Sequence, residues 1–427
     1  MFPGQAATHN GRPTFFGRVF SGSMPTTPKP LSWPHSHRDP HDPINPAPEL
    51  ARIRSEQPVF SVRRPLPTGG SLNMWLITKY ADVRELLASR DTSNSLGRSE
   101  SAAAQPGFLV SLDPPDHTRI RRMVTGQFSM RRLAAMRPYI EQITTDFLDQ
   151  MEAAGPPVDL MQAFALPLPS LVICELLGVP FEDQVEFRRR SDTMLDISVT
   201  RQQQAENTRE MNGYMLSLVN RHRQDPGDDI LGMLLRDHAD ELSNEELVGI
   251  GNILLVAGHE TTANTIGLGT LLLLQHPDQL ALVRDDPEMI TGAVEEILRY
   301  LSIVHTGTPR VILKDVIIGD QLLKAGDVAM VSLPSANRDA DFMADPDVFD
   351  VTRQPQAHLT FGHGIQVPRP AVGAPRNVGR VARAVAAVPD VVVGGVYGGP
   401  DLPGRWSGQW RTGVARSLVA LAIIKAT

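Results

Sequence analysis

The feature that most constrains this chain is the stretch from about Leu247 to Gln275. It is apolar almost throughout and far longer than an ordinary helix needs to be. A helix with apolar residues on every side has to be enclosed by the rest of the protein. Yet residues 257–262 read Ala-Gly-His-Glu-Thr-Thr, so an acid and two hydroxyls stand in its middle. Burying a carboxylate without a partner or a task is expensive. Glu260 and Thr261 therefore predict an enzyme that handles oxygen or protons. The same polar residues, with Asn252, His259 and Asn264, argue against a membrane span.

The remainder of the chain sets the frame. At 427 residues it can bury a large core. A net charge of −7 gives no basic excess, so nucleic acid is not an expected partner. One cysteine, Cys174, excludes an intramolecular disulfide and suits a reducing compartment. It lies in a helical apolar pattern and reads as a small buried hydrophobe. No continuous apolar core follows the N-terminus, so no secretory signal is expected, and a cytoplasmic protein is.

Residues 1–48 are rich in Pro, Gly, Ser and His and are expected to be a poorly ordered leader. His35, His37 and His41 within it read as a solvated tail. Alternating runs over residues 58–78 predict a hairpin. Helical patterning runs from Ala81 to Val304, and short strands return over 309–333. The expected architecture is mostly α (α+β): a single large helical domain with small flanking β-sheets.

Other segments could carry chemistry. Gly258 and the Thr261-Thr262 pair weaken regular helical bonding, and glycine there costs roughly 1 kcal/mol against alanine. They predict either a local bulge that admits a ligand or a helix–helix contact needing small residues. Glu296 and Arg299 form an i, i+3 acid–base pair on a helix with one apolar side. His117 and Arg121 share a helical face after Asp113-Pro-Pro-Asp116, and could either grip an anion or join Arg119 and Arg122 in a surface stripe. His358-Leu-Thr-Phe-Gly-His-Gly364 is the kind of glycine-rich segment that passes close to a cofactor.

In this order and spacing, these four motifs resemble the cytochrome P-450 family of haem-thiolate monooxygenases, particularly the soluble actinomycete type. Supporting stretches are 168–180, Ala336-Asn-Arg-Asp339 and Asp345-Pro-Asp-Val-Phe-Asp-Val-Thr-Arg353, so the likeness covers about residues 45–365. The resemblance implies haem b (heme, iron protoporphyrin IX) as cofactor and O2 as co-substrate. It also implies electrons from ferredoxin and ferredoxin reductase, and a small apolar metabolite as substrate. Glu260 and Thr261 would deliver protons. His117, Arg121 and Arg310 would hold the propionates. Leu254, Ala257 and Gly258 would face the distal pocket, and Phe361 would lie against the haem. Glu296, Arg299 and Arg353 would form a buried structural ion pair.

The chain then departs from the family. After Phe361-Gly-His-Gly364 it reads Ile-Gln-Val-Pro, placing Pro368 where the family has its axial cysteine and Gln366 where it has a propionate-binding histidine. No metal ligand is therefore assigned, and haem binding and catalysis are expected to be impaired. Residues 366–427 contain no glutamate, with basic residues outnumbering acidic ones eight to two. A permitted back-translation of Val367-Pro-Arg-Pro-Ala-Val-Gly-Ala-Pro375, started one base later, encodes Cys-Leu-Gly-Gln-Arg-Leu-Ala-Arg, the family's continuation. The implied division is a leader (1–48), a cytochrome P-450-like domain (49–365), and an atypical tail (366–427) produced by a frame slip between Ile365 and Val367. A haem-free helper that stabilises a partner enzyme such as a glycosyltransferase is the alternative, and the intact Ala257–Thr262 motif weighs against it.

Overall fold

The computed structural model describes residues 38–39, 42–65, 71–95, 105–195, 199–305, 308–364 and 391–392. The helices are α1 (Pro48–Glu56), α2 (Tyr80–Ala88), α3 (Asp116–Gln127), α4 (Met130–Ala154), α5 (Pro167–Leu177), α6 (Gln184–Leu195), α7 (Arg201–Gln224), α8 (Ile230–His238), α9 (Asn244–Gln275), α10 (Pro277–Asp285), α11 (Ile290–Leu301) and α12 (Leu333–Ala336). The strands are β1 (Val59–Pro65), β2 (Ser71–Ile77), β3 (Thr92–Ser93), β4 (Val158–Asp159), β5 (Thr308–Ile312), β6 (Val316–Ile318), β7 (Gln321–Leu323), β8 (Val328–Val331) and β9 (Val391–Val392). The architecture is mostly helical with small sheets, as the periodicity predicts. The predicted hairpin is β1–β2, and its sheet has the order β1-β2-β8-β5-β3. β2 pairs in parallel with β8, while the other neighbours are antiparallel.

The long apolar stretch is the single helix α9. Ser243 caps it: its hydroxyl accepts the Glu246 N–H, and the Glu246 carboxylate accepts the Ser243 N–H. This reciprocal box satisfies orphan donors of the first turn. The helix is packed by α5, α7, α10 and α11. Its N-terminal half joins an apolar cluster with α5, α7 and α8. Its C-terminal end, through Leu272 and Leu273, joins a second cluster with α11. A third cluster sits under the main sheet and α2.

A buried charge pair locks α7 to α8. The His222 Nε2 lies 2.7 Å from Asp229 Oδ2, and its Nδ1 lies 2.9 Å from the Leu218 carbonyl oxygen. Asp229 also caps α8 by accepting the Gly232 N–H. Burial alone would lower the imidazole pKa, but the Asp229 hydrogen bond and charge outweigh it and hold the ring above its ordinary value. Burial likewise opposes ionisation of Asp229, and His222 with the Gly232 N–H reverses that, leaving the carboxyl below its usual range. The signs fix a window. The raised imidazole contributes stability below an unfolded pKa of about 6.5, and that contribution is lost as pH rises through the folded value. The depressed carboxyl contributes above about pH 4 and loses its contribution as pH falls. His222→Ala should therefore cost most near pH 5, on the order of 3 kcal/mol for a broken buried pair, and clearly less at pH 8.5. Urea unfolding at the two pH values checks this, and an equal cost at both would refute it.

Candidate active site

One flank of α9 is not enclosed by packing among the described residues. Ala257 and Glu260 are exposed there, and Leu254, Thr261 and Asn264 are half-buried. These positions recur every three or four residues and so share one side of the helix. Two expectations are corrected at this point. Glu260 is not sealed in the core; it lies on the open flank. It is still walled in enough that desolvation raises its carboxyl above the usual range, while a hydrogen bond from Asn264 pulls the other way. Gly258 does not face the open flank: it is buried, and a Cβ there would collide with Ile173 of α5. Its smallness serves the helix–helix contact.

No bulge forms at this point either. The α-helical ladder runs unbroken from Asn244 to Gln275. The Thr261 hydroxyl donates to the Ala257 carbonyl at 2.5 Å, and Thr265 does the same to Thr261 at 2.7 Å. Such back-bonding satisfies a threonine without displacing the backbone bond it shares. Having donated its hydrogen bond to Ala257, the Thr261 hydroxyl retains acceptor capacity.

A cationic group stands around Asp113. His117 in α3 is 3 % exposed and Arg310 in β5 is 4 % exposed. Burial lowers the His117 pKa, the Arg121 charge lowers it further, and Asp113 opposes both. Burial pushes the Arg310 guanidinium down to about 10, with Asp113 the one opposing charge. His117, Arg121 and Arg310, expected from the resemblance to act as one group, are gathered around Asp113. Asp113 is already engaged, accepting from the Ser93 hydroxyl and from the Asn94 N–H at 2.9 Å. Among the described residues, Arg310 donates only to the neighbouring Pro309 carbonyl, at 2.9 Å. A buried guanidinium so poorly matched favours an anion, because charge-assisted bonds to carboxylate are the ones it lacks.

Behind the site, Glu296 and Arg299 meet in a fork: both Glu296 oxygens accept from Arg299 at 2.7 Å. Arg299 also donates to the carbonyls of Asn337 and Pro346, at 2.9 and 2.8 Å. Arg353 reaches Glu296 at 3.4 Å. This knot anchors the segment leading to Phe361. Phe361 is half-buried and packs against the α11 cluster, its ring 6.1 Å from that of His358. His358 is pushed down to about 4 by burial and by Arg299. It is therefore neutral, and its 3.1 Å contact with Glu295 is a hydrogen bond rather than an ion pair. Nδ1 accepts the Thr360 N–H at 3.3 Å, which leaves Nε2 to donate.

The sole cysteine offers no alternative ligand. Cys174 is fully buried in α5, and burial pushes its thiol up to about 12. Gln366, Pro368 and the leader histidines His35, His37 and His41 lie outside the described residues. Sequence reasoning missed Asp113 as the hub of the cationic group, having read it only as part of a helix start. It missed Asn264 as well, although its spacing of four from Glu260 was a usable signal.

The family model for cytochrome P-450 matches residues 191–366. Cytochrome P-450 FAS1 of Rhodococcoides fascians is 40 % identical over 337 residues, covering 75 % of this chain and 83 % of that protein. Vitamin D(3) 25-hydroxylase of Pseudonocardia autotrophica is 41 % identical over 331 residues, covering 75 % and 80 %. Among solved structures, Streptomyces peucetius CYP105P2 in complex with a biphenyl compound superposes with a TM-score of 0.68 at 38 % identity, covering 76 % of this chain and 84 % of that one.

Proposed function

The chain belongs to the cytochrome P-450 family, and from that premise we propose that its site is built to hydroxylate or epoxidise a small apolar metabolite of secondary metabolism. Ferredoxin and its reductase would supply electrons from the cytoplasm. Among the described residues no helix is long and apolar enough to cross a membrane. The body that carries this function is residues 49–365.

The family implies haem b, and two parts of the site fit it while one does not. Arg310, His117 and Arg121 suit the two propionates: a buried guanidinium lacking a strong acceptor, a neutral imidazole with a hydrogen to donate, and a second arginine. The open flank of α9, with Ala257 at its centre, suits a flat apolar face. Phe361 would border the opposite side. A thiolate ligand does not fit, because Cys174 is sealed in the core and Pro368 takes the family's cysteine position. When bound, haem supplies the iron at which O2 is activated. The chain's own contribution is proton handling. Burial raises the Glu260 carboxyl above its ordinary range, so it holds a proton more readily than an exposed glutamate, and Thr261 can accept one bond while donating to Ala257. Without a thiolate ligand, catalysis by this chain is expected to be impaired.

The mismatch at Arg310 carries this reading. Titrating the full chain with hemin should give a Soret band, and Arg310→Ala should weaken uptake about ten- to hundred-fold, the worth of one or two charge-assisted bonds. Unchanged hemin affinity in that variant would remove the propionate assignment.

A further inference from the structure

Two glycines far apart in sequence meet at the start of α9. A Cβ placed on Gly249 would run into the Pro106 carbonyl oxygen, and one placed on Gly107 would run into the Glu246 carbonyl. In both cases the obstacle is backbone, which cannot rotate aside. The segment Pro106-Gly107 therefore lies on α9 with only hydrogen atoms between the two chains. Gly107 also has φ +78°, the left-handed region.

The helix side of this contact cannot retreat. Glu246 is held by the Ser243 capping box and by an ion pair with Arg119 of α3. Arg119 also donates to the Glu241 carbonyl at 3.0 Å. From Gly107 the chain enters a 3-10 turn, Leu109–Ser111, that packs on both α9 and α3. Leu109, Leu112 and Leu254 belong to one apolar cluster. The next residue, Asp113, is the hub of the His117–Arg310 group. Residues 105–112 thus stand between the open flank of α9, which begins at Leu254, and the cationic group.

We propose that Gly107 and Gly249 are specificity-determining positions: their bare-backbone contact fixes how close residues 105–112 stand to α9, and so fixes the width of the apolar chamber. This rests on the reading of the α9 flank as the chamber wall. A methyl group at either position must lift the segment and widen the chamber.

The test uses the full chain. Gly249→Ala adds the methyl from the helix side. Gly107→Asn adds a Cβ from the other side while tolerating the left-handed φ, which separates contact from strain. Gly126→Ala, where nothing lies within 4 Å, is the control. Circular dichroism with thermal melting verifies that each variant folds. Amide hydrogen exchange over residues 105–112 should accelerate at least about tenfold in both test variants and stay unchanged in the control. Ligand-observed NMR with benzene through butylbenzene should show the preferred probe growing by at least one methylene. Exchange within about twofold of the parent, or an unaltered size order, overturns the proposal. Neither readout needs haem, so a chain that fails to bind hemin leaves this inference standing. Normal hemin uptake with unaltered exchange defeats it alone.

Discussion

Arg299→Leu is expected to destabilise the protein by about 3–5 kcal/mol, the cost of leaving one partner of a buried ion pair uncompensated. Folded domains hold only about 5–15 kcal/mol in total, so this single change removes a large share of the margin. Glu296 and Arg299 are 3 % and 2 % exposed. With the guanidinium gone, the Glu296 carboxylate keeps the Asp350 N–H at 3.1 Å and the longer Arg353 contact, too little to offset its desolvation. The carbonyls of Asn337 and Pro346 lose their donor as well. A Glu296→Leu, Arg299→Leu double variant should recover part of the loss, because it buries no lone charge. Urea denaturation of the three proteins measures this. A single variant that unfolds within about 1 kcal/mol of the parent would show that the fork contributes little.

The second large effect is spectroscopic. Loaded with haem, reduced and exposed to carbon monoxide, the unaltered chain should show no Soret band at the thiolate position, because its one thiol is buried in α5. Axial sulfur is what gives the family that signature. A gene returned to the shifted frame by two bases inserted between Ile365 and Val367 should restore it in full, since the cysteine then falls at the family's position. Cys174→Ala should leave the spectrum of the unaltered chain as it was. A thiolate band from the unaltered chain would sink the argument, and a genomic read excluding slip-compatible codons would remove the frame explanation alone.

Much of the fold is legible because its signals are periodic. The α9 stretch, the β1–β2 hairpin and the short strands after Thr308 all follow from spacing of apolar residues and turn chemistry. The site is less legible where long-range packing decides. Glu260 sits in an apolar run, and the run does not say which side of the helix is left open. Gly258 fits a pocket or a helix crossing equally well, and only Ile173, far away in sequence, settles which. The expected bulge fails because threonine has a cheaper option, sharing the carbonyl one turn back. Asp113 is invisible as a hub because its partners come from two segments distant in sequence, Ser93-Asn94 and Arg310.

The pairing of β2 with β8 sets an order of events on the ribosome. Trp75 of β2 and Asp327, which leads into β8, share a 2.7 Å hydrogen bond across 252 positions of sequence. The hairpin emerges early, and one of its edges stays without its strand until nearly all the helices have been translated. An uncapped edge is a template for stray pairing. The nascent protein should therefore depend on chaperone shielding through most of its synthesis, and messages broken before Val331 should yield chains that aggregate rather than fold.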